Sequence, residues 1–341
     1  MKEREITQAE NSVEYNSLIQ SIGDLLHAAR GKVARAVNST MVETYWAVGK
    51  YIVEFQQGGK ERATYGKELI ARLSKDLTNR YGEGFNRNNL QYMRQLYVAF
   101  PICTTLSCKL SWSHYQEILK AEDSLEISFY VKQCEIENWS VRELRRQMKS
   151  MLFHRIALSK DKEEVLAIAN KGIEVQQPED IIRDPLVLEF TGLPQLAKYK
   201  ESDLEKALID NLQKFILELG KGFAFVDRQH RISIGGRNFY VDLVFYHYKL
   251  KCFVLIDLKR GEIEHGDIGQ MNLYLNYFKQ EENSEDDNEP IGIVLGAYKD
   301  KLLMEYALQG ISNQLFVSRY QLYLPNREQL EKELKHLLET E

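Results

Sequence analysis

Hydrophobic residues in the second half of the chain repeat with two different periods. Leu and Phe recur every three or four residues over 204–219, which predicts one amphipathic helix that ends near a glycine. Val, Ile, Phe and Tyr dominate two later runs, 240–246 and 254–259, which predicts the last two of three strands. A second helix is predicted over 269–277, so the order of elements is helix, three strands, helix.

Charged residues interrupt the last two of these apolar strands. Asp242 lies in one strand, and Asp257 and Lys259 lie in the next. Acids are rarely buried among such residues without a partner, and neighbouring strands are only roughly 4.8 Å apart. The two carboxylates can therefore converge as the hard oxygen ligands that Mg²⁺ requires, with Lys259 on the same strand face as Asp257. A structural salt bridge between Lys259 and one acid is the alternative interpretation.

This order of elements and residues resembles the PD-(D/E)XK nuclease superfamily, and within it the bacterial YhcG-type branch. The resemblance runs from about residue 15 to about residue 327. The segments that carry it are Phe223–Gln229, Phe239–Tyr246, Asp257–Lys259, Gly269–Asn272 and Tyr320–Pro325. It implies a restriction-endonuclease-like α/β domain with a central mixed sheet flanked by helices. It also implies a Mg²⁺-dependent phosphodiesterase acting on DNA, with Mn²⁺ as a substitute ion.

The same resemblance implies roles for individual residues. The implied catalytic residues are Glu205, Asp242, Asp257, Lys259, Gln270 and Tyr274. The implied metal ligands are Asp242, Asp257, the carbonyl of Leu258 and, through water, Glu205. The branch usually has Glu where this chain has Asp257. Glu218 is an alternative to Glu205 as the helix acid, because both lie on the same predicted helix.

The first half of the chain is predicted to be mainly helical. Gly82 and Gly84 separate an amphipathic helix over 65–77 from a second helix that Asn86 can cap. This layout is typical of a helix-turn-helix, and the resemblance implies a winged-helix-like domain. The second helix would then enter the DNA major groove, and a plain α-hairpin is the alternative. Its predicted nucleic-acid contacts are Arg87, Asn88, Asn89, Gln91 and Arg94.

A second basic helix is predicted after Ser140, which forms a capping box with Glu143. Four cations recur on it at helical spacing and could track phosphates, or they could form an ordinary solvated face. These cations are Arg142, Arg145, Arg146 and Lys149.

Charge and length indicate two domains and an α+β protein. The 341 residues carry a net charge of −5, but residues 1–160 carry +5 and the rest −10. We predict a helical DNA- or partner-binding domain over 1–160, a connector over 161–190 and a nuclease domain over 191–341.

The remaining sequence features exclude several classes of protein. No apolar run approaches the ~20 residues of a membrane span, so no membrane partner is expected. The four cysteines lack metal-site spacing, and a reducing compartment, the cytoplasm, is predicted. The competing function is a catalytically weak DNA-binding or restriction-system accessory protein that keeps the nuclease fold. A homodimer and a restriction-modification or defence complex are further partner hypotheses.

Overall fold

The computed structural model describes residues 2–57, 66–158, 162–194, 199–298, 308 and 314–339. By its internal contacts the chain forms two compact units, residues 1–127 and 128–341. Within the described part of the chain, no helix combines the length and the apolar sequence that a membrane crossing needs.

The first unit is helical. Its helices are α1 (Lys2–Gln57), α2 (Gly66–Tyr81), α3 (Arg87–Ala99), α4 (Trp112–Ile118) and the start of α5 (Ser124–Glu137). Ile52, Ile70, Leu90 and Met93 form its core between α1, α2 and α3. A Cβ at Gly49 would lie 1.9 Å from the Met93 carbonyl oxygen, so glycine is needed where α1 crosses α3.

The predicted glycine turn and helix cap are confirmed. The Asn86 side chain accepts a hydrogen bond from the backbone N–H of Asn89 at 2.9 Å, at the start of α3. Asparagine at this position satisfies one of the amides that the first helical turn leaves unpaired. The helix-turn-helix identity of α2 and α3 stays a prediction.

The second unit contains a six-stranded mixed sheet. Its strands are β1 (Leu186–Val187), β2 (Phe223–Ile234), β3 (Arg237–His247), β4 (Cys252–Glu262), β5 (Ile291–Tyr298) and β6 (Leu315–Gln321). Their order is β1-β6-β5-β4-β3-β2. The β2, β3 and β4 strands are antiparallel, whereas β4, β5, β6 and β1 run parallel. The predicted α+β class with a central mixed sheet is confirmed.

Helices cover both faces of this sheet. The α-helices of the second unit whose bounds lie within the described residues are the rest of α5, α6 (Val141–Lys149), α7 (Leu152–Ala157), α8 (Lys162–Lys171), α9 (Glu201–Asp210), α10 (Leu212–Leu219), α11 (His265–Tyr277) and α12 (Arg327–Glu339). Leu204 of α9 and Phe215 of α10 pack in the core on one face, and Met271 and Leu275 of α11 pack in the core on the other. The predicted domain boundary near residue 160 stays a prediction. By internal contacts, α6 and α7 belong to the second unit.

The prediction of one continuous helix over 204–219 is wrong. Asn211, with φ −119° and ψ 30°, separates α9 from α10. Its side-chain Nδ2 donates to the Ala207 carbonyl at 3.1 Å, and asparagine side chains compete in this way with regular backbone hydrogen bonding. Glu205 and Glu218 therefore lie on two different helices.

Candidate active site

The two strand acids lie where β3 and β4 stop pairing. The antiparallel ladder of these strands runs from His247 opposite Cys252 to Leu243 opposite Ile256. Asp242 and Asp257 are the next residue on each strand. The carboxylate of Asp242 accepts the backbone N–H of Leu258 at 2.7 Å, so a side chain continues the hydrogen bonding where the ladder ends.

Lys259 projects from the same strand face as Asp257, as the sequence predicts. Its Nζ lies 2.8 Å from Asp257 Oδ2 and 3.5 Å from Asp267 Oδ1. The Asp257 side chain is only 4% exposed, so this ion pair is buried at its acidic end. Sequence reasoning missed Asp267, although it occupies the first turn of α11, three residues before Gln270.

The charges at this site do not balance. Burial, and then the charge of Asp242, raise the pKa of Asp257 to about 6 although Lys259 opposes the shift. Burial also raises the pKa of Asp242, against the Leu258 N–H bond. Burial works against a charged Lys259, but its contacts with Asp257 and Asp267 outweigh burial and raise its pKa. The lysine therefore stays charged, while one ammonium offsets only part of the carboxylate charge around it.

Gln229 joins the helix acid to the first strand acid. Its Nε2 donates to Glu205 Oε2 at 2.9 Å and to Asp242 Oδ1 at 2.8 Å. Burial raises the pKa of Glu205, Gln229 lowers it, and the charge of Asp242 raises it further. Glu205 and Gln229 also line a cavity of about 530 Å³.

Sequence reasoning missed Gln229 as a site residue. Its φ of +49° places it in the left-handed region, just after the register irregularity in β2 between Phe225 and Asp227. The available signal was a run of five polar residues, Asp227 to Arg231, in a strand that should alternate.

Glu218 is committed to a different cluster. Its carboxylate is fully buried and pairs with Arg146 at 2.8 Å and Arg155 at 2.9 Å. It also accepts the Val187 N–H at 2.8 Å. Burial works to raise the pKa of Glu218, but the charges of Arg155, Arg146 and Arg183 outweigh it and lower the pKa. The structure thus brings Glu205, and not Glu218, to the strand acids.

Gln270 and Tyr274 share a face of α11, as four-residue spacing predicts. The Gln270 amide donates to the Tyr274 hydroxyl, which donates in turn to the Tyr240 carbonyl at 3.0 Å. Tyr274 is buried in the core, and burial raises its pKa. The pair therefore anchors α11 to β3 two residues before Asp242.

The predicted nucleic-acid contacts are only partly on the surface. Arg87, Asn88, Gln91 and Arg94 are exposed on α3, and Arg142, Arg145 and Lys149 are exposed on α6. Their role stays a prediction.

Two of the predicted nucleic-acid contacts, Asn89 and Arg146, are instead engaged with other residues of the protein. Asn89 is buried, donates to the Gly84 carbonyl, and accepts hydrogen bonds from Trp112 Nε1 at 2.8 Å and Gln116 Nε2 at 2.9 Å. Arg146 donates a hydrogen bond to the buried Glu218 carboxylate at 2.8 Å, whereas Arg142, Arg145 and Lys149 are exposed on α6. Both side chains are used within their own unit because a polar group inside a core needs a partner.

Comparisons with known proteins cover almost the whole chain. Residues 179–335 match the family described as "YhcG PDDEXK nuclease domain", and residues 21–155 match the family described as "DUF1016 N-terminal domain". A protein of Escherichia coli (strain K12) named "Putative nuclease YhcG" is 40% identical over 352 residues, which cover 94% of this chain and 93% of that protein.

Two solved structures show weaker similarity. A repair endonuclease from Pyrococcus abyssi has 18% identity and a TM-score of 0.26, covering 38% of this chain and 50% of that chain. EndoMS in its dsDNA2 complex has 20% identity and a TM-score of 0.27, covering 39% of this chain and 49% of that chain. The similarity therefore spans about half the length of these structures.

Proposed function

The chain belongs to the YhcG family of PDDEXK nucleases, and on that premise we propose that it hydrolyses phosphodiester bonds in DNA with a divalent cation. One observation carries the proposal. Asp242 and Asp257 lie immediately beyond the last paired residues of β3 and β4, and a charged lysine contacts Asp257. Acids are costly to bury in a strand, and binding a cation between two carboxylates at the end of the β3–β4 ladder is a reason for keeping them there.

The donor set fits Mg²⁺, with Mn²⁺ as a substitute. Asp242 and Asp257 offer hard carboxylate oxygens. The Lys259 ammonium offsets only part of the negative charge of the carboxylates around it, and the charge that remains favours binding of a divalent cation. Glu205, Asp242 and Asp257, all described residues, do not gather three carboxylate oxygens within 4.8 Å of one another. Glu205 therefore fits a ligand role through water, and the Leu258 carbonyl is a further ligand. When bound, such an ion supplies Lewis acidity and a water of lowered pKa.

The protein's own groups would orient the reactants. Lys259 carries a compact ammonium on a flexible stem, so it can shift from Asp257 toward the attacking water or the phosphate oxygens. Gln229 holds the carboxylates of Glu205 and Asp242 by two amide hydrogen bonds. Gln270 orients water or phosphate, and Tyr274 holds its amide in position.

Two sets of surface residues support DNA as the substrate. On α3 the exposed Arg87, Asn88, Gln91 and Arg94 are residue types that contact DNA phosphates and base edges. On α6 the exposed Arg142, Arg145 and Lys149 provide a second basic surface. We place the activity in the cytoplasm, with a homodimer or a defence complex as assembly hypotheses.

Cleavage by the purified full chain tests the proposal. Supercoiled plasmid, linear DNA, branched DNA and RNA would be incubated with Mg²⁺, with Mn²⁺ and with EDTA, beside the Asp257→Asn protein. We expect DNA cleavage that EDTA and the substitution both abolish. Cleavage in EDTA, or undiminished cleavage by Asp257→Asn, contradicts the proposal. DNA binding without any cleavage by the wild-type chain favours the accessory-protein alternative.

A further inference from the structure

A small cavity opens at the carboxyl ends of the parallel strands, outside the residues used above. Its volume is about 250 Å³, and four tyrosines line it, at positions 199, 298, 320 and 323. Tyr298 is the last residue of β5, and Tyr320 lies near the end of β6. Crevices at the carboxyl ends of parallel strands commonly bind ligands.

The four tyrosines divide into a buried floor and an exposed rim. Tyr199 and Tyr320 are buried, and their hydroxyls form a hydrogen bond of 2.8 Å that fixes the floor. Tyr298 is 68% exposed and Tyr323 is 49% exposed. Two large aromatic side chains thus face solvent around one concavity.

This cavity adjoins the candidate catalytic strand. Arg260 follows Lys259 in β4, and its Nη1 donates to the Tyr199 carbonyl at 3.2 Å. On the neighbouring strand, Lys259 lies opposite Gly296, two residues before Tyr298. The cavity and Lys259 therefore lie at the same end of the sheet, on neighbouring strands.

We propose that this cavity is a stacking subsite for one unpaired base of the nucleic-acid substrate, an inference that rests on the proposed nuclease function. Exposed aromatic rings stack on any base, because every base has a π face. The lining Arg319 already pairs with Asp184 at 3.3 Å, so stacking, and not phosphate binding, is the recognition that the lining offers. The volume lies just below the roughly 300 Å³ where drug-sized ligand pockets begin, so the cavity suits a ligand no larger than a small ring system.

The proximity of Lys259 favours nucleic acid over a protein partner for this aromatic surface. A base held here must be unpaired, because a paired base presents its faces to its neighbours in the duplex. The subsite therefore predicts a preference for strands with an unpaired base near the scissile phosphate, as at frayed ends and single-stranded flaps.

Binding measurements on the full chain test this proposal without requiring cleavage. Fluorescence anisotropy in EDTA would follow a short labelled oligothymidylate and a blunt duplex of mixed sequence. The variants are Tyr298→Ala, Tyr323→Ala, Tyr298→Phe and Tyr323→Phe. Tyr248→Ala is the matched control, because Tyr248 is a half-exposed tyrosine in the β3–β4 turn, away from the carboxyl ends of the parallel strands.

We expect each alanine variant to bind the oligothymidylate roughly tenfold or more weakly, the typical effect of losing one base–aromatic stack. The phenylalanine variants and Tyr248→Ala should bind like the wild type, and duplex binding should change by less than about twofold in all variants. Unchanged oligothymidylate binding in both alanine variants overturns the subsite. So does equal weakening on duplex, or a phenylalanine variant as weak as its alanine counterpart.

These outcomes are distinct from failure of the nuclease proposal. A chain that binds the oligothymidylate through Tyr298 and Tyr323 but cleaves nothing keeps the subsite and loses the catalytic assignment. Selective loss of binding to a protein, with oligothymidylate binding intact, instead assigns the tyrosines to a protein interface and overturns the subsite.

Discussion

The carboxylate of Asp242 accepts a hydrogen bond from the backbone N–H of Leu258, the residue that follows Asp257. One strand acid is therefore oriented by the backbone of the strand that carries the other. The two acids are coupled through β4, and any change in the spacing of β3 and β4 alters both.

Asp242→Asn should abolish cleavage and leave the fold intact. The amide oxygen can still accept the Leu258 N–H, and the exposed Gln229 amide, which loses this acceptor, can hydrogen-bond to water. Removal of one carboxylate charge also relieves repulsion with Asp257. Calorimetric titration should show weaker Mg²⁺ or Mn²⁺ binding, with a melting temperature at or above that of the wild type. Asp286→Asn, an exposed change in the loop before β5, is the control. Full activity in Asp242→Asn contradicts the assignment.

Glu205→Gln should reduce cleavage with little effect on stability. Glu205 contacts Gln229 near the site, but its side chain is partly exposed and holds no buried ion pair. A role through metal-bound water predicts a lower kcat and a weaker apparent affinity for the metal. Single-turnover rates across a Mg²⁺ series would measure both, and wild-type values for both would remove Glu205 from the site.

Glu218→Gln should destabilise the second unit but leave the cleavage rate per folded molecule unchanged. Breaking a buried ion pair costs about 3–5 kcal/mol, since Arg146 and Arg155 lose their shared counter-ion. Thermal and urea unfolding would measure this loss. The folded protein that remains at low temperature should cleave DNA at the wild-type rate per folded molecule, and a stable but inactive variant would restore Glu218 as the helix acid.

The stability difference between the wild type and Glu218→Gln should depend on pH, in a direction set by the pKa of Glu218. The folded-state pKa of Glu218 lies below its ordinary value of 4.5, so its ionised form stabilises the protein above that pH. The stabilisation is lost as the pH falls from 4.5 toward the folded-state pKa. The melting-temperature gap between wild type and Glu218→Gln should therefore be full at neutral pH and shrink below about pH 4.5. A gap that stays constant down to pH 3 contradicts the ion-pair explanation.

Lys259→Ala should preserve metal and DNA binding while reducing the cleavage rate by about 10²–10⁴-fold, the usual scale for a group that assists proton transfer. Lys259→Arg should not recover the full rate, because the planar guanidinium is larger than the ammonium beside Asp257. Melting temperature and single-turnover rate should be measured on one preparation. A destabilised Lys259→Ala protein with full specific activity would show that the lysine is only a salt-bridge partner.

Replacing Arg87 and Arg94 together, or Arg142 and Lys149 together, should weaken DNA binding without changing metal affinity. For each phosphate contact removed, the slope of log K against log salt should fall by about 0.9. Lys332→Ala on α12 is a control for simple loss of surface charge. Arg146 is left intact because its substitution would remove one of the two arginines that pair with the buried Glu218. Unchanged affinity in both double variants would assign these surfaces to protein partners.

Local sequence patterns determined much of this protein. Alternation in the strands and the three-to-four repeat in the helices located β3, β4, α9 and α11. The same rules placed Lys259 beside Asp257 and Gln270 beside Tyr274, and they identified Asn86 as a cap. These relationships hold over two to four residues, where backbone geometry alone sets which side chains meet.

Tertiary structure decided which residues from distant segments of the chain contact each other. It gave Glu218 to Arg146, which is 72 residues away in sequence, and Asn89 to Trp112, which is 23 residues away. It also brought Gln229 between Glu205 and Asp242, just after the register irregularity in β2. A polar residue on a helix has the same spacing whether it faces solvent or a buried partner. Only packing of the other elements, which removes water from one side and supplies the counter-charge, selects between the two.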